Sequence, residues 1–287
     1  MRKIVRPVKA AATPNRREAL QLLGAVGVSA IVGCSSNGSG NGSGGGSTTG
    51  GVDGGTDAAT NAADAGIDLA GGNRDGAQAA ECVLTAEQEE GPFYVAVESI
   101  RSDITDGKPG LPLALTFTII DVTTCLPLAN AALDVWHCDY TGIYSDEASQ
   151  STTGQTFHRG VQITDADGQA SFASVFPGWY AGRTIHIHIK VHIGGAASGS
   201  TYAGGHVSHT GNVFFPQALN DAVALVSPYA SGDSNARTLN ANDNVWSNQN
   251  GSKYVCTYTG SASSAITASI VLGVDPTATP GLIGVHS

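Results

Sequence analysis

PGWYAGRTIHIHIKV, residues 177–191, is the stretch that decides the fold. From Ile185 the residues alternate: Ile185, Ile187, Ile189, Val191 and Ile193 fall on one side of an extended strand, and His186 and His188 on the other. Side chains two apart on a strand start roughly 7 Å from each other, so the apolar side can enter a core while both imidazoles share one cleft. Tyr180 and Arg183 precede them in an approach containing Gly and Pro. A phenol, a guanidinium and two imidazoles at one spot suit a metal site that handles an oxygen-rich, anionic substrate.

Working outward, the chain is β-rich. Strands are expected over 115–121, 132–138, 161–164, 169–175, 212–215 and 265–274, with one helical or irregular stretch around 218–226. Asp165-Ala166-Asp167-Gly168 reads as a tight turn closing a hairpin. It is not a calcium loop, because Gln169, Ala170 and Phe176 stand where further ligands and the glycine would be needed. Strands punctuated by turns, with long loops and little helix, imply an all-β sandwich.

The front of the chain is of another kind. Residues 1–34 hold a cationic stretch, adjacent Arg16 and Arg17, and an apolar run too short to span a bilayer. The pattern resembles a twin-arginine export signal, and Ile31-Val32-Gly33-Cys34 resembles a lipobox with Cys34 as the lipidated residue. Residues 35–80 are mostly Gly, Ser, Asn, Thr, Asp and Ala, a composition expected to stay a disordered tether with a reach of roughly 35–40 Å. The folded domain is expected over 81–287. The expected location is exported, periplasmic or at the cell surface of a bacterium, with membrane contact only through the lipid.

The chain carries 14 Lys and Arg against 24 Asp and Glu, and the first 33 residues hold most of the surplus cation, leaving a net charge of about −15. That balance argues against nucleic acid and against electrostatic docking on anionic lipid. Cys82, Cys125, Cys138 and Cys256 are even in number in a compartment that permits disulfides; three pairings are open.

A second string, WHCDYTGIYS (136–145), turns through Gly142 to present Tyr144. With FHRGVQITDADG (157–168), PGWYAGRTIHIHIKV, EGPFY (90–94) and TGNVFFP (210–216), it closely resembles the intradiol ring-cleavage dioxygenases. The resemblance implies a β-sandwich of that type and a non-haem iron(III) cofactor held by Tyr144, Tyr180, His186 and His188. It implies cleavage of a catechol-type ring by dioxygen, between the hydroxyl-bearing carbons, to a muconate-type dicarboxylic acid. Tyr180 would also accept a proton, Arg183 would stabilise charge developing on the ring, and Gly91, Pro92 and Arg183 would meet the substrate. Two phenolates and two neutral imidazoles suit a hard trivalent ion. No N-terminal helical segment of the kind used for dimerisation by catechol-type members is present, so the oligomeric state and the natural catechol stay open. His158, Arg159 and Gln162 are candidates to border the site, His137 a structural hydrogen-bonder, and His206, His209 and His286 loop residues. The rivals are a surface-displayed binding module and a zinc-type hydrolase; the hydrolase would want an Asp or Glu that neither motif supplies.

Overall fold

Strand β1 (Pro112–Asp121) shows how the sandwich begins: Leu113, Leu115, Phe117 and Ile119 are buried, while Thr116 and Thr118 between them face outward. The computed structural model describes residues 82–96, 99–232 and 234–284. The export signal, Cys34, the tether and His286 lie outside them. The remaining strands are β2 (Leu126–Pro127), β3 (Ala132–Trp136), β4 (Arg159–Ile163), β5 (Gln169–Val175), β6 (His186–Ile193), β7 (Ala196–Ser198), β8 (Thr201–Ala203), β9 (His206–Phe214), β10 (Thr257–Gly260) and β11 (Ile266–Val274). Short helices α1 (Gln217–Val223), α2 (Tyr229–Gly232) and α3 (Asn244–Asn248) follow β9.

One sheet runs β10-β11-β1-β2 with β5 also on β1, and the other runs β4-β3-β6-β9. β1 and β11 are parallel, and the other pairs are antiparallel. The apolar rows of both sheets meet in one core: Leu115 and Phe117 of β1, Leu133 and Val135 of β3, Ile187 and Ile189 of β6, and Leu272 of β11. This is the expected all-β sandwich. The helical expectation near residue 218 is met by α1.

Three local readings need correction. The 165–168 turn forms, with Gly168 N donating to Asp165 O and Asp165 Oδ1 receiving the Asp167 and Gln169 amides. It does not close a hairpin, because β4 pairs with β3 while β5 crosses to the other sheet and pairs with β1. The turn chemistry is local, whereas the choice of partner belongs to the core. His206 and His209 are on β9, not in loops. β3 stops at Trp136, two residues short of expectation, and the chain then turns into the loop that carries Tyr144.

β6 is buried on both faces except at its last residue. Its outer face, bearing His186, His188, Lys190 and His192, is roofed by the segment 84–94. That segment bridges Leu84 to Gly273 and donates Gln88 N to Thr210 O. Glu87 accepts from Thr210 N and meets the His209 ring at 2.6 Å, and Gln88 Oε1 accepts from Asn212 N. The Cys82–Cys125 disulfide pins the start of the roof to the β1–β2 turn, choosing one of the three open pairings. Cys138 and Cys256 are buried.

Candidate metal centre

Strand register does the first part of the placing. His188 is paired with Trp136 on β3 and with Asn212 on β9. The Trp136 and His188 rings lie 5.0 Å apart and nearly parallel. His186, two residues earlier on the same face, donates Nδ1–H to Thr184 O at 2.6 Å. Its Nε2 therefore carries the lone pair, and it faces His188 Nε2 at 3.0 Å and Tyr180 Oη at 3.1 Å.

Tyr144 arrives from a different element. After β3, Asp139 Oδ1 collects the amides of Thr141 and Ile143, and Gly142 N donates to Asp139 O. Gly142 has φ +81°, and a Cβ there would stand 2.2 Å from the Trp179 carbonyl. Only glycine lets this loop lie against the 179–180 backbone. Tyr144 is thereby brought to Tyr180, ring centroids 5.8 Å apart, and to His188 at 6.1 Å. Phe93 of the roof stacks on Tyr144 at 4.6 Å and meets Tyr180 edge-on at 6.0 Å.

Arg183 is held on three sides. Its Nε donates to Asp243 Oδ2 at 2.8 Å, Nη1 to Glu89 Oε1 at 3.3 Å and Nη2 to Asn212 Oδ1 at 3.0 Å. Asp243 also receives the Thr184 amide and, as the cap of α3, the Trp246 amide. Asn212 in turn donates to Glu89 O. Gly91 sits against the centre at φ +76°, where an added Cβ would be 2.9 Å from His188 Cε1, while Pro92 is exposed.

Burial governs the protonation states. It pushes the Tyr180 hydroxyl up to about 12, with Arg183 pulling the other way. Tyr144 is raised well above the usual phenol value, first by burial and then by Tyr180. His186 is pushed down to about 3 by burial and by Arg183, and His188 falls well below the usual range through burial and His186. Burial would raise Asp243, but Arg183 and His186 outweigh it and hold the carboxyl below its ordinary value.

Hydrogen bonds alone do not satisfy this cluster. Tyr144 Oη is buried without a partner, as is His188 Nδ1, and two imidazole Nε2 atoms face each other across 3.0 Å. Such an electron-rich, donor-poor pocket fits a cation. Among the described residues no group of three or more His, Cys, Asp or Glu side chains converges, so phenols are integral to this donor set. That arrangement offers nothing to a zinc hydrolase.

The bordering candidates divide. Arg159 donates Nε to Ser145 Oγ and Nη2 to Phe93 O, tying the Tyr144 loop to the roof. Gln162 donates to the Val161 carbonyl next to it in the chain. His158 stacks on His137 at 4.5 Å, and His137 bonds Cys138 O and Ser174 Oγ, the structural part expected of it. Sequence reading missed Phe93, Glu89, Asn212 and Asp243. Phe93 and Asn212 lie inside strings already singled out, EGPFY and TGNVFFP, whereas Asp243 carries no local signal.

Fold and site together define a class: an all-β sandwich with a buried two-phenol, two-imidazole cluster on the outer face of one sheet. Residues 89–197 match the family model described as dioxygenase. The intradiol ring-cleavage dioxygenase of Tetranychus urticae is 30% identical, with 70% of this chain and 98% of that one covered at a TM-score of 0.62. Catechol 1,2-dioxygenase 2 of Acinetobacter lwoffii is 36% identical over 96 residues, 32% of this chain, so the chain spans 34% of that relative. The chain belongs to the intradiol ring-cleavage dioxygenase family.

Proposed function

We propose that the protein is a non-haem iron(III) enzyme. It opens a catechol-type ring between its two hydroxyl-bearing carbons, with dioxygen, giving a muconate-type dicarboxylic acid. The observation that carries the reading is the convergence of Tyr144, Tyr180, His186 and His188 in one pocket whose polar atoms lack hydrogen-bond partners. Those four side chains would hold the metal. Bound there, iron(III) would draw electron density from a chelated diol and so activate the ring toward dioxygen.

The remaining work falls to the chain. Tyr180, half-buried where Tyr144 and both histidines are fully buried, is the phenol that solvent and substrate can reach, and its Oη is placed to take a proton from a diol hydroxyl. The Thr184 carbonyl orients the His186 ring. Trp136 covers one face of His188 and Phe93 one face of Tyr144, excluding water from the ligand side of the pocket. Arg183, fixed by Asp243, Glu89 and Asn212, is a preorganised cation for negative charge developing on the ring. Gly91 leaves room over His188.

The visible spectrum and metal content of protein expressed with added iron test the reading. Phenolate-to-iron(III) charge transfer should give a red to brown colour. Colourless, iron-free protein would sink it. Arg183→Ala should keep the colour and lose turnover in dioxygen uptake with catechol; unchanged turnover would remove Arg183 from the mechanism. On the sequence of residues 1–80 we further propose export and a lipid anchor at Cys34. Metabolic labelling with a radiolabelled fatty acid, lost in Cys34→Ala, is the check.

A further inference from the structure

The ring's substituents are decided by charge. Arg183 places one positive charge between two carboxylates, Glu89 and Asp243, which leaves that trio one charge negative. Lys190, on the same sheet face, is paired with Glu90 and lies over the Tyr94 ring at 3.4 Å. Arg159 is buried beneath the roof, donating to Ser145 and Phe93, and its strongest charge neighbour is Tyr144. Arg101 and Lys108 are paired with Asp106 and Asp139, and Lys253 lies in a hollow over the other sheet with Thr118 and Thr257. Arg237, 5.5 Å from the Trp179 ring, is paired with Asp221. None of these described cations is left to receive a carboxylate at the centre.

Glu89 supplies the second, independent observation. It is buried, its Oε1 receives Arg183, and its Oε2 is closed from solvent with no hydrogen-bond partner. A buried acceptor without a donor is costly. A substrate hydroxyl can satisfy it, whereas a substrate carboxylate adds like charge to a partly buried site.

We propose that this enzyme selects diol rings without an anionic substituent, and that Glu89 enforces the selection. The proposal rests on the ring-cleavage reading above. It is tested by kcat/KM of the iron-loaded enzyme for 3,4-dihydroxybenzoate and for its methyl ester, a neutral analogue with the same ring positions filled, with catechol as reference. The ester should be favoured over the acid by about tenfold or more, the scale of one like charge met at several Å. Glu89→Gln keeps the shape and an acceptor oxygen; it should raise the acid relative to the ester by about tenfold. Anaerobic titration of the iron band should show the same reversal in binding without turnover. Acid and ester within about threefold in the wild type would overturn the proposal, whether or not the variant folds. So would an unchanged ratio in Glu89→Gln, or acid turnover abolished by Arg237→Ala. Catechol left intact by a coloured, iron-loaded protein would instead overturn the ring-cleavage reading and this proposal with it.

Discussion

Tyr144→Phe should stabilise the iron-free protein while destroying its metal centre. The Tyr144 ring is wholly buried, stacked on Phe93 at 4.6 Å, and its Oη has no hydrogen-bond partner. Deleting that oxygen breaks no hydrogen bond and leaves both ring contacts in place. An unsatisfied buried hydroxyl costs roughly 1–3 kcal/mol on mutational scales. The space left by one oxygen returns only about 0.3 kcal/mol of that as a cavity penalty. The net expectation is a gain of about 1–2 kcal/mol in urea unfolding of the iron-free protein, with an unchanged m-value. With iron added the order should reverse, because a ligand that binds only the folded state stabilises in proportion to its affinity, and the variant loses a phenolate donor. Iron-free Tyr144→Phe less stable than wild type by more than about 1 kcal/mol would refute the reasoning. It would mean that the hydroxyl already works as a structural hydrogen-bonding group.

Asp243→Ala removes the acceptor of Arg183 Nε and of the Thr184 and Trp246 amides, and should cost about 3–5 kcal/mol in the same assay. A loss below about 1 kcal/mol would reject the clamp. His137 is neutral and buried, held down to about 4 against 6.5 when unfolded. Its contribution is therefore complete above pH 6.5 and is lost as the pH falls toward 4, by roughly 3 kcal/mol. His137→Gln should flatten that limb of the stability profile, and an unaltered slope from pH 6.5 to 4 would reject the assignment. Reducing Cys82–Cys125, which closes a separation of 43 residues, should cost about 4 kcal/mol by loop entropy. Thermal unfolding with and without reductant reads it, and an unmoved transition would deny the disulfide a stabilising part.

What could be read from residues alone follows the range of the forces involved. Alternation along 185–193 is local, so it revealed both the core side of β6 and the two imidazoles opposite it. Gly142 and Tyr144 were legible because a glycine turn is local chemistry too. The role of Asp243 was not, because its meaning comes from Arg183, sixty positions away, and no spacing encodes that meeting. The 165–168 turn misled for the same reason. Its Asp and Gly dictate a reversal, but whether the next strand returns to its neighbour or crosses the sandwich depends on which core Phe172 fills. His209 reads as a loop histidine until Glu87, more than a hundred residues earlier, is seen lying against it.

The roof over the histidine face has a consequence for the order of events during synthesis. All four donor side chains have been made once residue 188 is joined to the chain. The segment that covers them, 84–94, was made first of all, yet it has nothing to lie on until much later. Its anchors are Thr210 and Asn212 on β9, Gln249 beyond α3 and Gly273 near the end of β11. A ribosome-bound chain therefore carries its ligands uncovered through most of translation. The pocket closes only when the last strand slides in beside the first, so cofactor loading belongs to the released, finished polypeptide.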